Sequence, residues 1–232
     1  MAKHNSLSTS LSRRETTAGI VYLLAQLFVL PSLIGWACAA LGNPFSEAEL
    51  NFLYFLMNFL VTLLIFQDFL GKNLRQAVRH PAILCQSVIL GLAAYYACSF
   101  LVSLVITLLA PGYANYNDEA ISAMSQGNGF LMLIGTVVLV PPFEECMFRG
   151  LIFRNLYGKN RILAYLISMA LFTVIHILGY IGLYTPLELA MAMLQYLPAG
   201  LCLAWSYAKA DTIFAPILMH AAVNFISIHA LR

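Results

Sequence analysis

Charge is what this chain lacks. Only 9% of its 232 residues are charged, 12 basic and 10 acidic, where soluble domains carry roughly a quarter, so a soluble globular domain is excluded. No glycine-rich phosphate loop occurs and no basic stripe runs along any segment, which removes nucleotides and nucleic acids as partners. The His-Glu-x-x-His pattern of the common zinc proteases is missing. Cys38, Cys85, Cys98, Cys146 and Cys202 stand inside apolar segments at no metal-like spacing, so they read as small buried hydrophobes. Internal repeats, low-complexity tracts and a soluble domain are absent as well.

Hydrocarbon takes the place of charge, with 61% of residues hydrophobic. A helix rising 1.5 Å per residue needs about 20 apolar residues to cross about 30 Å of lipid. Seven runs qualify: 18–41, 51–70, 83–110, 129–157, 161–182, 187–208 and 211–230. The first is too long for a signal peptide and ends without a clear cleavage site. The expected fold is an all-α transmembrane bundle of about seven spans. Residues 1–17 are expected as a short disordered lead, 18–128 as three N-terminal helices and 129–230 as a core of about four.

The few charges orient the bundle. Lys3, Arg13 and Arg14 precede the first span, whereas the next loop holds Glu47 and Glu49 and no base. Lys72, Arg75 and Arg79 follow the second span, and the acidic stretch 111–128 follows the third. Arg154, Lys159 and Arg161 crowd the fourth turn-around, the fifth is uncharged, and the sixth holds Lys209 and Asp211. This alternation predicts a cytoplasmic N-terminus and an external C-terminus. Asp211 is expected to cap the seventh helix, and Asn58, Gln86 and Gln195 to bond between helices.

Within this apolar frame "PPFEECMFRG", 141–150, places two carboxylates and a guanidinium at membrane depth, where ionisable groups pair, line a cavity or do chemistry. Glu145 and Arg149 are four apart and share a helix face, which predicts an ion pair. Glu144 lies about 100° around the helix, with no cation at the matching offsets. Pro141 and Pro142 predict a break, with Glu144 in the first turn of a new helix and under its dipole. Phe172 and His176 share one face of the fifth span, and His220 and Asn224 one face of the seventh. Glu144, His176 and His220 lie about 9–15 residues from the inferred cytoplasmic ends, roughly 14–22 Å deep. A single membrane histidine is more often a packed structural residue, but a carboxylate, two imidazoles and a carboxamide at matched depth can activate water and stabilise an oxyanion. Geometry alone leaves a proton or ion pathway open as well. His229 lies on the far side of the seventh helix.

Three motifs in order carry a family resemblance: "EECMFR" at 144–149, "FTVIH" at 172–176 and "HAAVN" at 220–224. The sequence resembles the CAAX-protease and bacteriocin-processing (CPBP, or ABI) intramembrane proteases over residues 129–230. The first three spans carry none of the motifs and are where substrate selection is expected. The resemblance implies Glu144 as the base activating water with His176, and His220 and Asn224 as holders of the oxyanion. It also implies that Arg149 fixes Glu145. No cofactor is expected. Zn²⁺ on Glu144, His176 and His220 is the alternative, because family members have been described as metalloproteases. The expected activity is cleavage of a peptide or membrane-protein segment in a bacterial plasma membrane, in a water-filled cavity opening toward the cytoplasm. The rival is a non-catalytic immunity factor or scaffold that binds a peptide or partner protein.

Overall fold

The computed structural model describes residues 7–230, all-α with no strand among them. Helix α1 (Arg13–Phe28) meets α2 (Leu30–Ala40) at a 52° bend. Pro31 in the first turn of α2 explains the bend, since it has no N–H to continue the ladder of α1. A Ser46–Glu49 capping box starts α3 (Glu47–Ile65), each side chain bonding the other residue's backbone N–H. Next come α4 (Gln67–Arg79) and α5 (Pro81–Leu109). The helix α6 (Tyr116–Ile134) continues through a π-turn, α7 (Val140–Glu145), a second π-turn and α8 (Arg154–Tyr157). The chain closes with α9 (Arg161–Ile177), α10 (Pro186–Ala210) and α11 (Phe214–Ala230).

Each of the seven apolar segments is helical, but their lengths differ from seven equal crossings. Among the described residues α3, α5, the 116–157 stretch (kinked at Asn128, whose backbone leaves the helical region), α9 and α10 are each long and apolar enough to cross a membrane. The bent pair α1–α2 makes a sixth crossing if it counts as one span. The 17 residues of α11 reach only about 25 Å at helical rise. It packs among α5, α7 and α10.

Three expected loops are ordered structure. Residues 72–80 fall largely in α4, whose inward positions Phe69, Asn73 and Ala77 recur every fourth residue while Lys72, Arg75 and Arg79 stay exposed. That pattern is an amphipathic helix, a kind suited to lie along a membrane surface. The acidic stretch 111–128 is helical from Tyr116, capped by Asn115, whose side chain accepts from the N–H groups of Asn117 and Asp118. The lead is also ordered from residue 7, while its first six residues, Lys3 included, lie outside the described ones. Leu7 and Thr9 are buried, Arg154 donates to the Thr9 carbonyl, and Ser12 forms a capping box with Glu15 at the start of α1.

Asn73 clasps the basic end of the bundle. Its carbonyl accepts from Thr212 Oγ1 at 2.9 Å, and its side-chain oxygen accepts from the Ile213 N–H at 2.8 Å. Asp211 does not cap α11. It adopts a left-handed conformation that ends α10 and accepts from the Ser8 N–H. Asn58 and Gln195 do bond between helices, to Tyr22 and to Asn115 respectively. Gln86 is exposed, and its neighbour Ser87 is buried instead.

By the charge alternation the α4 end is expected to face the cytoplasm. An impermeant maleimide should therefore label cysteines placed in 112–127 on intact cells and spare those placed at Arg75 or Arg79. Labelling at Arg75 or Arg79 would reverse the orientation.

Candidate active site

The two prolines shape the site's backbone. Lacking N–H groups, Pro141 and Pro142 leave carbonyls one turn earlier without donors. The helix responds by widening over Gly135–Leu139, where the Val140 N–H bonds the Gly135 carbonyl five residues back. In that register the next carbonyl, Thr136, would need a donor from Pro141. Asn224 supplies it from α11, its Nδ2 donating to the Thr136 oxygen at 2.8 Å. A second widening runs from Cys146 to Phe153. Leu139, Val140 and Cys146 all keep right-handed helical angles, so the expected break and new helix start are not there. Glu144 accordingly sits inside a continuous helix, without the dipole field of an N-terminus.

Glu145 and Arg149 pair as their spacing requires, Nη1 to Oε1 at 3.1 Å, with both side chains fully buried. Arg149 Nη2 also donates to the carbonyls of Gly200, at 3.2 Å, and Ala199. Gly200 also lets α10 lie close against α9, since a Cβ there would come within 2.9 Å of Met169. The guanidinium lies 4.4 Å from the centroid of the Phe172 ring. Phe172, the aromatic residue of the second motif, thus gives Arg149 a π-face.

His220 joins the two glutamates. Its Nδ1 is 2.9 Å from Glu145 Oε1, and its Nε2 is 4.0 Å from Glu144 Oε2. With Nδ1–H donated to Glu145, Nε2 is the ring atom left facing Glu144. Glu145 therefore orients a histidine as well as neutralising Arg149. The spacing rule did not reveal this, because it relates residues on one helix only. Among the described residues Glu144 Oε2 has no hydrogen-bond partner, and the side chain keeps 17% of its surface open. His176 bonds through Nδ1 to the Phe172 carbonyl at 2.7 Å and stacks on Tyr196 with centroids 4.3 Å apart. His229 is exposed and bonded within α11.

His176, His220 and Asn224 together line a cavity of about 290 Å³, with Thr136 and Phe172 in the same wall. Glu144 is not among its lining residues. The cavity extends toward the first turn of α6 and the C-terminal parts of α9 and α11, reaching the half-exposed Asn117 and Asp118 and the exposed Ser227. Lys159, Arg161 and Lys209 lie at or beside the opposite ends of α8, α9 and α10, and α4 with Lys72, Arg75 and Arg79 is tied through Asn73 to the α10–α11 turn at that same end. The expected opening toward the cytoplasm is therefore corrected. The cavity faces the end that the charge rule places outside, because it lies among the start of α6 (Asn117, Asp118) and the ends of α9 (His176) and α11 (Ser227, Ile228), away from the basic turns. Asp118 was missed as a lining residue because it was read as part of a loop; Asn115 as a helix cap was the available signal.

His176 and His220 each use Nδ1 in a hydrogen bond, which leaves both Nε2 atoms free of those bonds. Among the described residues no group of three or more His, Cys, Asp or Glu side chains is placed to hold a metal ion.

Comparison with known proteins agrees with the motifs. Residues 126–226 match the family described as Type II CAAX prenyl endopeptidase Rce1-like. The chain is 26% identical over 217 residues to the "Putative membrane peptidase YdiL" of Bacillus subtilis (strain 168), covering 88% of this chain and 82% of that protein. No solved structure matches significantly. The resemblance to the CAAX-protease and bacteriocin-processing family is borne out. At family level both matches point to an intramembrane protease in a multi-pass membrane protein.

Proposed function

We propose that this chain hydrolyses a peptide bond within the membrane using water activated by Glu144, without a metal. The observation that carries the reading is His220, held by Glu145 on one ring nitrogen and presenting the other toward Glu144 at 4.0 Å. A carboxylate, an oriented imidazole and a carboxamide beside a cavity supply the groups that amide hydrolysis needs. Glu144 takes a proton from water as its oxygen attacks the scissile carbonyl carbon. His220 Nε2, with the imidazole protonated, and the second N–H of Asn224 donate to the oxygen as it gains negative charge, while the first N–H stays on Thr136. The proton held by Glu144 then passes to the departing nitrogen, leaving a carboxylic acid and an amine, and the acid's proton moves on to the amine to give carboxylate and ammonium. His176 sits in the cavity wall to assist the water. The substrate is a peptide or membrane-protein segment, and the setting a bacterial plasma membrane.

Candidate substrates come from comparing membrane proteins and secreted peptides of cells with and without the active chain. On such a substrate Asn224→Ala should lower kcat by about 10²–10³, the usual loss for one oxyanion donor. It should also lower stability by about 1–3 kcal/mol, because the buried Thr136 carbonyl loses its donor. Strong chelators should leave wild-type activity unchanged. One tightly bound Zn²⁺ per chain, with activity lost on its removal and regained on its return, would replace the metal-free mechanism.

A further inference from the structure

The far end of the cavity has a charge of its own. Asp118 lines it, and no lysine or arginine does. Among the described residues no cation pairs with Asp118. Gln195 Nε2 reaches its Oδ2 only at 3.4 Å. A carboxylate drawn partly out of water without a cation is costly. The start of α6 offsets some of that cost, since Asp118 is in its first turn. Yet Glu119, next in the same turn and exposed, could serve the helix equally well without entering the cavity. The walls around Asp118 include the rings of Tyr95 and Tyr196, whose faces attract cations. The polar end is also tied to the motif residues, because Tyr196 stacks on His176 while its neighbour Gln195 donates to Asp118.

We propose that Asp118, with Gln195 and Tyr196, forms a subsite that binds a cationic group of the substrate, a lysine or arginine side chain or a free N-terminal ammonium, near the scissile bond. The subsite rests on the proteolytic reading for its meaning but not for its existence.

The test uses the purified full chain and fluorogenic apolar peptides that differ only in carrying Lys, Ala or Glu at successive positions around the central bond. Wild type should favour Lys over Glu by about tenfold or more in kcat/KM at one position, in keeping with a charge pair shielded from water. Asp118→Asn should shrink that preference to about threefold or less, Asp118→Glu should keep it, and Asp118→Lys should reverse it. Binding of the same peptides to Glu144→Gln gives a readout without turnover. A Lys preference in binding with no cleavage by wild type would remove proteolysis and leave the subsite. Cleavage with no Lys preference, or a preference that survives Asp118→Asn, would remove the subsite and leave proteolysis. Should the Asp118 variants fail to accumulate, the wild type's own choice between Lys and Glu peptides decides.

Discussion

Glu144→Gln should abolish cleavage while the protein accumulates normally in the membrane. The amide matches the carboxylate in shape, and Glu144 contributes little to packing. Among the described residues its Oε2 has no hydrogen-bond partner and its only ion contact, with His220, is 4.0 Å long. Folding therefore loses almost nothing. Chemistry loses the group that accepts the proton of water, and general-base catalysis alone contributes about 10²–10⁴ in rate. Together with the loss of negative charge beside His220, turnover should fall below detection by cleavage of any substrate found. Wild-type rates in Glu144→Gln would move the base to His220, whose orientation by Glu145 already suits it to accept a proton.

The opposite result is expected for Arg149→Ala. This side chain is fully buried, pairs with Glu145 and bonds two carbonyls of α10. Removing it leaves Glu145 as a buried charge opposed only by His220, and breaking such a pair costs about 3–5 kcal/mol. Two carbonyls and the face of Phe172 lose their partner as well. The yield of monodisperse protein in detergent should collapse, and activity with it. Adding Glu145→Gln to Arg149→Ala should recover part of the yield, because no charge is then buried alone. Normal yield of Arg149→Ala would show that the pair is dispensable for folding and serves the reaction only.

Much of this could be read along the chain because membrane proteins write their constraints locally. The scarcity of charge and the apolar runs dictated an all-α bundle, since backbone polar groups in lipid must bond within their own helix. The Glu145–Arg149 pair followed from helical spacing, and the three motifs gave the polar residues and their order. Sequence also placed the basic turns at one end of the bundle.

What only the tertiary structure decided are relations between helices. No periodicity says that His220 on α11 will bond Glu145 on α7, or that Asn224 will supply the donor that Pro141 lacks. The prolines looked like a break because a missing N–H is visible in the sequence, whereas the wider turn and distant amide that compensate for it are not. The cavity's direction was misjudged for a related reason. Depth counted along each helix fixes where a side chain sits, but the open space lies between helices, and its wall is completed by Asp118, Gln195 and Tyr196 from segments that carry no motif.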